Sequence, residues 1–472
     1  MVELLREKSI SCYLEAMHHP LRWLAFLGIS LLMFMGYLDI TIVNTALPYI
    51  QQAFKASVLQ LQWVSNIFSM LVAVTMIVMG RFADLFGRRK IFFLGVILFT
   101  LAAWGAGAST EMGWLIFFRA MQGLGVSCLY VSSTALLSDI FPADEHAKAV
   151  SLYVGITGAG LMLGPTIGGI LVGLLSWRWV FWINLPTVVI GLLMCFSTMR
   201  KMPPEKKPEG DFTIDWNGLW LLVVGLGSLV YGIITGAESG WSQLTAWVPL
   251  VVGIATLTTL VFVEEKVSAP LLELRIFREK LILLSGLSCI VGGFVSRVFM
   301  FFDPLYLQTE RGASPFSLGF LISVIPAGQV LISFCFAWLL KRFGVGNLLV
   351  ISIGSALVSA IAHLGFSATM PVSWVIGPFF LLGLNWGLSN TCLMTSVNQT
   401  VPANKRAKVM GMAASLWNII GVVFLAVDSA VFHVVGKGDL FLMGFHAVAW
   451  VNAVVILVVF AGAVWVRLRQ AR

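Results

Sequence analysis

Two ionisable residues stand inside long apolar stretches, where a charge meets no water. Asp39 falls in the run 22–48, within Leu38-Asp39-Ile40-Thr41-Ile42-Val43-Asn44-Thr45-Ala46-Leu47-Pro48, and Arg119 falls in the run 112–139, within Arg119-Ala120-Met121-Gln122-Gly123. Charged groups in hydrocarbon are costly, and those that occur are paired and tied to function. If both runs are helices and the first ends near Pro48, Asp39 lies about 13 Å from that end and Arg119 about 10 Å from its own, at 1.5 Å per residue. The shared depth predicts that they pair. Arginine keeps its proton, so Asp39 is the group that takes or releases one, and Arg119 tunes it by approaching or withdrawing. A permanent structural salt bridge is the competing reading. Arg297, in the run 281–307, and Asp428, in 406–434, form a second candidate pair at similar depth. Asp303 and Glu238 read as solvated residues near a mouth, and His363, His433 and His446 as isolated packing or interface residues. No His, Asp or Glu cluster has catalytic spacing. The six cysteines, Cys12, Cys128, Cys195, Cys289, Cys335 and Cys392, form neither a zinc pattern nor a disulfide framework. There is no Gly-x-x-x-x-Gly-Lys-[Ser/Thr] string, so direct use of ATP is not expected. The expectation is a non-enzyme with no metal and no cofactor, driven by the proton gradient.

The elements that position these residues follow from composition. Of 472 residues, 59% are hydrophobic and 11% are Asp, Glu, Lys or Arg, against about 25% charged in soluble chains. The mean hydropathy is +0.93. These values exclude a soluble enzyme, a disordered scaffold and a nucleic-acid-binding domain, despite the net charge of +8. At about 20 residues per membrane span, the apolar runs give fourteen spans: 22–48, 58–79, 91–108, 112–139, 147–174, 179–199, 216–236, 246–264, 281–307, 315–339, 348–366, 372–400, 406–434 and 441–466. Of the 30 Lys and Arg residues, 24 fall on the side that holds both termini, and only Lys55, Arg178, Arg311 and Lys437 fall opposite. That bias places both termini in the cytoplasm and the chain in the cytoplasmic (inner) membrane. The first twenty residues carry Glu3, Arg6, Glu7, Lys8 and Glu15 and no apolar core with a cleavage site, so they read as a cytoplasmic lead-in.

An internal repeat is visible at an offset of about 260 residues. Phe141-Pro142-Ala143-Asp144-Glu145-His146-Ala147-Lys148 resembles Val401-Pro402-Ala403-Asn404-Lys405-Arg406-Ala407-Lys408, and Phe86-Gly87 matches Phe343-Gly344. The expected organisation is an all-α membrane protein: a cytoplasmic segment 1–21, a six-helix bundle 22–199, a charged, proline-rich cytoplasmic linker 200–215, an inserted helix pair and loop 216–280, a second six-helix bundle 281–466 and a tail 467–472. Two such halves about a midplane site are the plan of a rocking transporter.

Three motifs sharpen this reading. The loop after the second span reads Gly80-Arg81-Phe82-Ala83-Asp84-Leu85-Phe86-Gly87-Arg88-Arg89-Lys90. Its glycines allow a tight turn, and Asp84 and Arg88 can form a charged latch at the cytoplasmic gate, with Arg89 beside them. In the second copy Lys341 stands where Asp84 would repeat, so the latch is expected on one side only. The fifth span carries Gly160-x-x-x-Gly164-Pro165-x-x-Gly168-Gly169. Glycines every four residues allow close helix approach, and Pro165 bends the helix. The loop resembles the cytoplasmic signature of the major facilitator superfamily, and the fifth-span string resembles its antiporter motif. Asp39, the Arg-x-x-Gln-Gly string at Arg119, the segment Trp177-Arg178-Trp179-Val180-Phe181-Trp182-Ile183-Asn184-Leu185-Pro186, and Gly240-Trp241-Ser242 resemble the fourteen-helix drug:proton antiporters of the EmrB/QacA type, from about Arg22 to Arg467. The repeat of Arg119 fails, since the matching position is Phe379.

The resemblance implies a major facilitator fold of two six-helix bundles plus two inserted helices. It also implies a proton-coupled antiporter that exports a small amphipathic compound by alternating access, such as a drug, toxin or siderophore-like metabolite. Import of a small solute on the same fold is the alternative. Asn44, Trp63, Asn66, Gln122, Asn385, Trp386, Asn390, Trp417 and Asn418 are the candidates for the substrate cavity, because aromatic walls with scattered amides suit an amphipathic ligand. The scarcity of acidic groups tilts the substrate toward neutral or zwitterionic compounds. The expected partners are a small-molecule substrate and the lipid bilayer, with no nucleic acid. The chain is expected to be a monomer, and some members of the family hand substrate to a periplasmic adaptor.

Overall fold

Long apolar runs leave the backbone no partner in lipid except itself, so each run closes its hydrogen bonds internally as a helix. The computed structural model describes residues 19–141, 143–199, 216–264, 279–401, 403–436 and 440–471. All regular structure among the described residues is helical, and fourteen helices are long and apolar enough to cross a membrane. In the first half these are α1 (His19–Phe54), α2 (Val58–Phe86), α3 (Arg88–Ala108), α4 (Met112–Ile140), α5 (Ala143–Leu174) and α6 (Asn184–Met199, after a single turn Trp179–Trp182). Then come α7 (Trp216–Ser239) and α8 (Leu244–Glu264). The second half comprises α9 (Lys280–Thr309), α10 (Val324–Phe343, after the short helix Pro315–Ile322), α11 (Val345–His363), α12 (Ile376–Thr400), α13 (Ala403–Val435) and α14 (Phe441–Ala471).

Turn chemistry sets several boundaries. A reciprocal capping box between Ser57 and Gln60 starts α2. Gly87, at φ 104°, joins α2 to α3 in one residue, and Gly344, at φ 72°, does the same between α10 and α11. Both sit in the left-handed region that glycine tolerates, and they occupy matching places in the repeat.

Helices α1–α6 pack chiefly with one another, as do α9–α14, while the hairpin α7–α8 lies against α2 and α13. The face that carries both described chain ends, His19 and Ala471, is here called the basic face, and the other the far face. The halves meet through the far-face parts of their helices. There Gly169 of α5 abuts Gly319 and Pro315, and Thr166 Oγ1 lies 2.6 Å from Ser323 Oγ. Leu59 of α2 shares an apolar cluster with Val422, Ala426 and Ala430 of α13.

Three expectations about the elements need correction. Helix α1 continues through Pro48 to Phe54, because a proline costs one backbone bond and the turns on either side keep theirs. The depth assigned to Asp39 was therefore too shallow. The sixth span is broken at Ile183 and the tenth at Ser323.

Candidate functional site

Four elements of the first half converge on Asp39. It sits in α1, fully buried. Arg119 of α4 donates from a terminal nitrogen to Asp39 Oδ2 at 2.5 Å and to Gln122 Oε1 at 2.9 Å. Its Nε donates to the Val64 carbonyl oxygen of α2 at 3.0 Å. Gln122 Nε2 and Asn184 Nδ2, at the head of α6, each donate to Asp39 Oδ1 at 3.3 Å. The guanidinium carbon lies 4.2 Å from the Phe68 ring centroid. Asp39 and Arg119 thus pair as their spacing predicts. Both carboxylate oxygens accept hydrogen bonds, which is the pattern of an ionised group. Breaking this pair in place would strand a buried charge at several kcal/mol. The cluster is therefore stable only while Arg119 stays put or Asp39 gains a proton.

The glycines of α5 hold α1 in this position. A Cβ on Gly160 would stand 2.6 Å from the Phe34 carbonyl oxygen, one on Gly164 would overlap Thr41 Oγ1, and one on Gly168 would overlap Thr45 Oγ1. Thr41 Oγ1 donates to the Leu161 carbonyl oxygen at 3.1 Å, locking the two backbones together. Gly169 looks the other way, into the far-face seam. The motif therefore has two surfaces, one toward the Asp39 helix and one toward the second half. Pro165 lies between them, and its carbonyl oxygen faces Gly319.

The second half corrects the expected Arg297–Asp428 pair. Arg297 donates to Asn418 Oδ1 at 3.1 Å, and Asp428 Oδ2 accepts from Asn452 Nδ2 of α14 at 3.0 Å. A Cβ on Gly421 of α13 would stand 3.4 Å from Arg297 Cβ, so Arg297 is level with Gly421 and Asp428 lies about 10 Å further along α13; the two residues do not share a depth. Arg297 is half-buried and interacts electrostatically with Arg119 and Tyr130 of the first half, which puts it at the seam between the halves. Around it stand the stacked pair Trp386–Trp417, with centroids 6.4 Å apart, and across the seam the Tyr37–Tyr130 pair at 5.0 Å.

The cavity candidates divide accordingly. Trp386, Trp417 and Asn418 are half-buried beside Arg297, and Trp63 is half-buried in the apolar cluster between α2, α7 and α13. The others have local partners. Gln122 belongs to the Asp39 cluster. Asn66 is buried and donates to Gln62 Oε1 at 3.1 Å and the Val422 carbonyl oxygen at 3.4 Å, so it joins the halves. Asn385 is buried and bonds the Ser352 carbonyl oxygen at 2.9 Å, within a knot that includes Ser288 and Ser389. Asn44 and Asn390 donate to carbonyl oxygens four residues earlier in their own helices.

At the basic face, Gly80 packs toward Val131 of α4, and Arg88 and Arg89 open α3. Arg88 bonds Asp139 at the end of α4 at 2.8 Å, an ion pair that sequence reading missed because fifty residues separate the partners. The Asp84 side chain lies outside the described residues, as do residues 1–18, the linker 200–215 and the loop 265–278. Asn184, Tyr37 and Tyr130 were also missed. Only Asn184 left a signal, as an amide inside an apolar run.

Asp303 and His363 depart furthest from expectation. Both are fully buried, with Asp303 Oδ1 3.3 Å from His363 Nε2. A short distance in sequence from a helix end does not mean solvation, because Tyr306, Phe366 and Phe445 cover the pair.

A family model described as Major Facilitator Superfamily matches residues 29–425. The multidrug resistance protein Stp of Mycobacterium tuberculosis (strain CDC 1551 / Oshkosh) is 31% identical over 393 residues, covering 83% of this chain and 72% of that protein. The tetracenomycin C resistance and export protein of Streptomyces glaucescens is 28% identical over 394 residues, covering 84% and 72% respectively. Among solved structures, the peptide transporter POT in complex with sulfate shares the fold with a TM-score of 0.68 over 94% of both chains, at 16% identity.

Proposed function

The chain belongs to the major facilitator superfamily, in its fourteen-helix drug:proton antiporter family, and is a multi-pass transporter of small molecules; from that premise we propose that it exports an amphipathic organic compound in exchange for protons. The observation that carries this reading is the buried Asp39–Arg119 pair, held by α2, α4 and α6 beneath a seam closed at the far face. With the basic face in the cytoplasm, as the charge bias implies, the seam closed at the far face is shut outside, and we take this as the cytoplasm-facing state. In that state Asp39 is ionised and substrate enters between the Tyr37–Tyr130 and Trp386–Trp417 walls. When the seam parts outside, Arg119 withdraws from Asp39, the carboxylate takes an external proton to avoid a lone buried charge, and substrate leaves. Return to the cytoplasmic side restores the pair and releases the proton.

Substrate class follows from charge. Asp39 is committed to Arg119, and Arg297 contributes a positive charge beside the aromatic walls, opposed by no carboxylate within ion-pair distance among the described residues. A neutral or zwitterionic aromatic compound suits that lining better than a lipophilic cation. Export agrees with the names of two relatives, a multidrug resistance protein and a resistance and export protein.

The test is gradient dissipation in inverted vesicles energised by respiration, read by a pH-sensitive dye as lipophilic cations, neutral antibiotics, zwitterionic antibiotics and fatty acids are added. Wild type is expected to respond to the neutral or zwitterionic class, and Asp39→Asn to lose the response while still folding. A full response from Asp39→Asn overturns the assigned proton site. Accumulation of the same compound in right-side-out vesicles, driven by an inward proton gradient, overturns the direction.

A further inference from the structure

We infer that Asp303 and His363 form a second proton-binding site, in the C-terminal half, which holds one exchangeable proton between carboxylate and imidazole. His363 Nδ1 lies 2.7 Å from the Ser359 carbonyl oxygen. A carbonyl only accepts, so Nδ1 carries a hydrogen in every protonation state. The remaining ring nitrogen, Nε2, faces Asp303 Oδ1 at 3.3 Å. Asp303 has no hydrogen-bond donor on either oxygen. Without a proton between them, a bare carboxylate and an imidazole lone pair would face each other in a box closed by Phe299, Phe366 and Phe379, with ring centroids 4.2, 4.4 and 6.1 Å from the imidazole. That arrangement costs several kcal/mol. One proton removes the cost in either form, as imidazolium with carboxylate or as imidazole with carboxylic acid.

The site lies near the far face, under one cover. Asp303 stands six residues before the end of α9 and His363 ends α11, both at the far face. The cover is the segment after α11, tied down where Tyr306 Oη donates to the Ser367 carbonyl oxygen at 2.9 Å and Arg311 donates to that of Ala368. The other titratable groups of this region are Tyr306, Glu310 and Arg311 at the end of α9, Asp428 and His433 on α13, and His446 on α14, whose Nε2 is 2.7 Å from the Phe366 carbonyl oxygen. The outer half of α12 offers none. Asp428 is engaged with Asn452, so His363 is the partner available to Asp303.

The inference does not need the antiport reading, because proton occupancy is read without substrate. The experiment is solid-state nuclear magnetic resonance of the full chain in lipid, with nitrogen-labelled histidine, at a series of pH values. The five other histidines are replaced by Gln so that one imidazole reports. The expected spectrum shows Nδ1–H throughout and an Nε2 that shares a proton at low and neutral pH and loses it as pH rises. Asp303→Asn is expected to abolish the shared-proton signal, and Asp39→Asn to leave it intact. An Nε2 without a proton beside an ionised Asp303 at all pH values, a proton that never leaves while the protein stays folded, or a signal unchanged in Asp303→Asn overturns the site. If the quintuple variant does not fold, the same signal is assigned in the native chain by its loss in His363→Gln. Loss of the vesicle response in Asp39→Asn with this signal intact separates the two proton sites.

Discussion

Adding one methyl group at Gly169 is expected to tilt the conformational equilibrium by a readable amount. A Cβ there would overlap the Pro315 carbonyl oxygen and stand 3.0 Å from Gly319 Cα, so neither neighbour is the free end of a flexible side chain. The far-face seam must widen or strain in Gly169→Ala. Overpacking of this kind costs about 1–3 kcal/mol. The cost falls only on the state in which the halves touch at Gly169. The gain in helix propensity from Gly to Ala applies to both states and cancels. At 1.4 kcal/mol per factor of ten, the ratio of far-face-closed to far-face-open molecules is expected to fall roughly 5- to 150-fold. Spin labels at Leu174 and Phe316, both exposed beside the seam, report the change in a chain whose native cysteines are replaced. Pulsed dipolar spectroscopy should show the short-distance population of the parent shrinking in favour of a longer one. An unchanged distribution refutes the claim that Gly169 sets the closeness of the seam.

Other perturbations test the remaining parts. Arg119→Ala strands buried Asp39 and is expected to destabilise by about 3–5 kcal/mol, while Arg119→Ala with Asp39→Asn recovers most of it; thermal unfolding of the purified protein measures the non-additivity. Arg119→Lys should fail to restore exchange, because an ammonium cannot reproduce the three bonds to Val64, Asp39 and Gln122, and the vesicle assay reads this. Gly344→Ala meets open space, so its expected loss of about 1–3 kcal/mol comes from backbone conformation alone, and Gly344→Asn should lose as much, because ψ 156° lies outside the αL well that Asn tolerates; thermal unfolding reads both. Reversing the charge at Arg88 or Asp139 alone should slow transport, and the swapped pair should restore it. Stability should move by less than about 1 kcal/mol, since the pair is partly exposed to solvent.

Whatever rests on local or one-dimensional physics could be read from the residues alone. Hydrocarbon forces helices on long apolar runs, so the number of spans and their approximate ends were legible, as was the bias of basic residues to one side. Glycine at Gly87 and Gly344 was legible because one-residue turns between helices need a positive φ. The Asp39–Arg119 pair was legible because two opposite charges in hydrocarbon have few other partners, even though the depth counted for Asp39 was too shallow. The depth argument failed for Arg297 and Asp428 because it counted from helix ends that the structure moves: α9 runs on to Thr309, and Arg297 lies level with Gly421 rather than with Asp428. Only the packed structure gave Arg297 to Asn418 and Asp428 to Asn452. It alone sealed Asp303 and His363 under aromatic rings, brought Asn184 to Asp39 across 145 residues, and turned Asn66 and Asn385 from cavity candidates into joints. A helix's rise fixes only the spacing of its own residues, while their depth in the bundle and the neighbours they meet depend on where each helix ends and how the others pack.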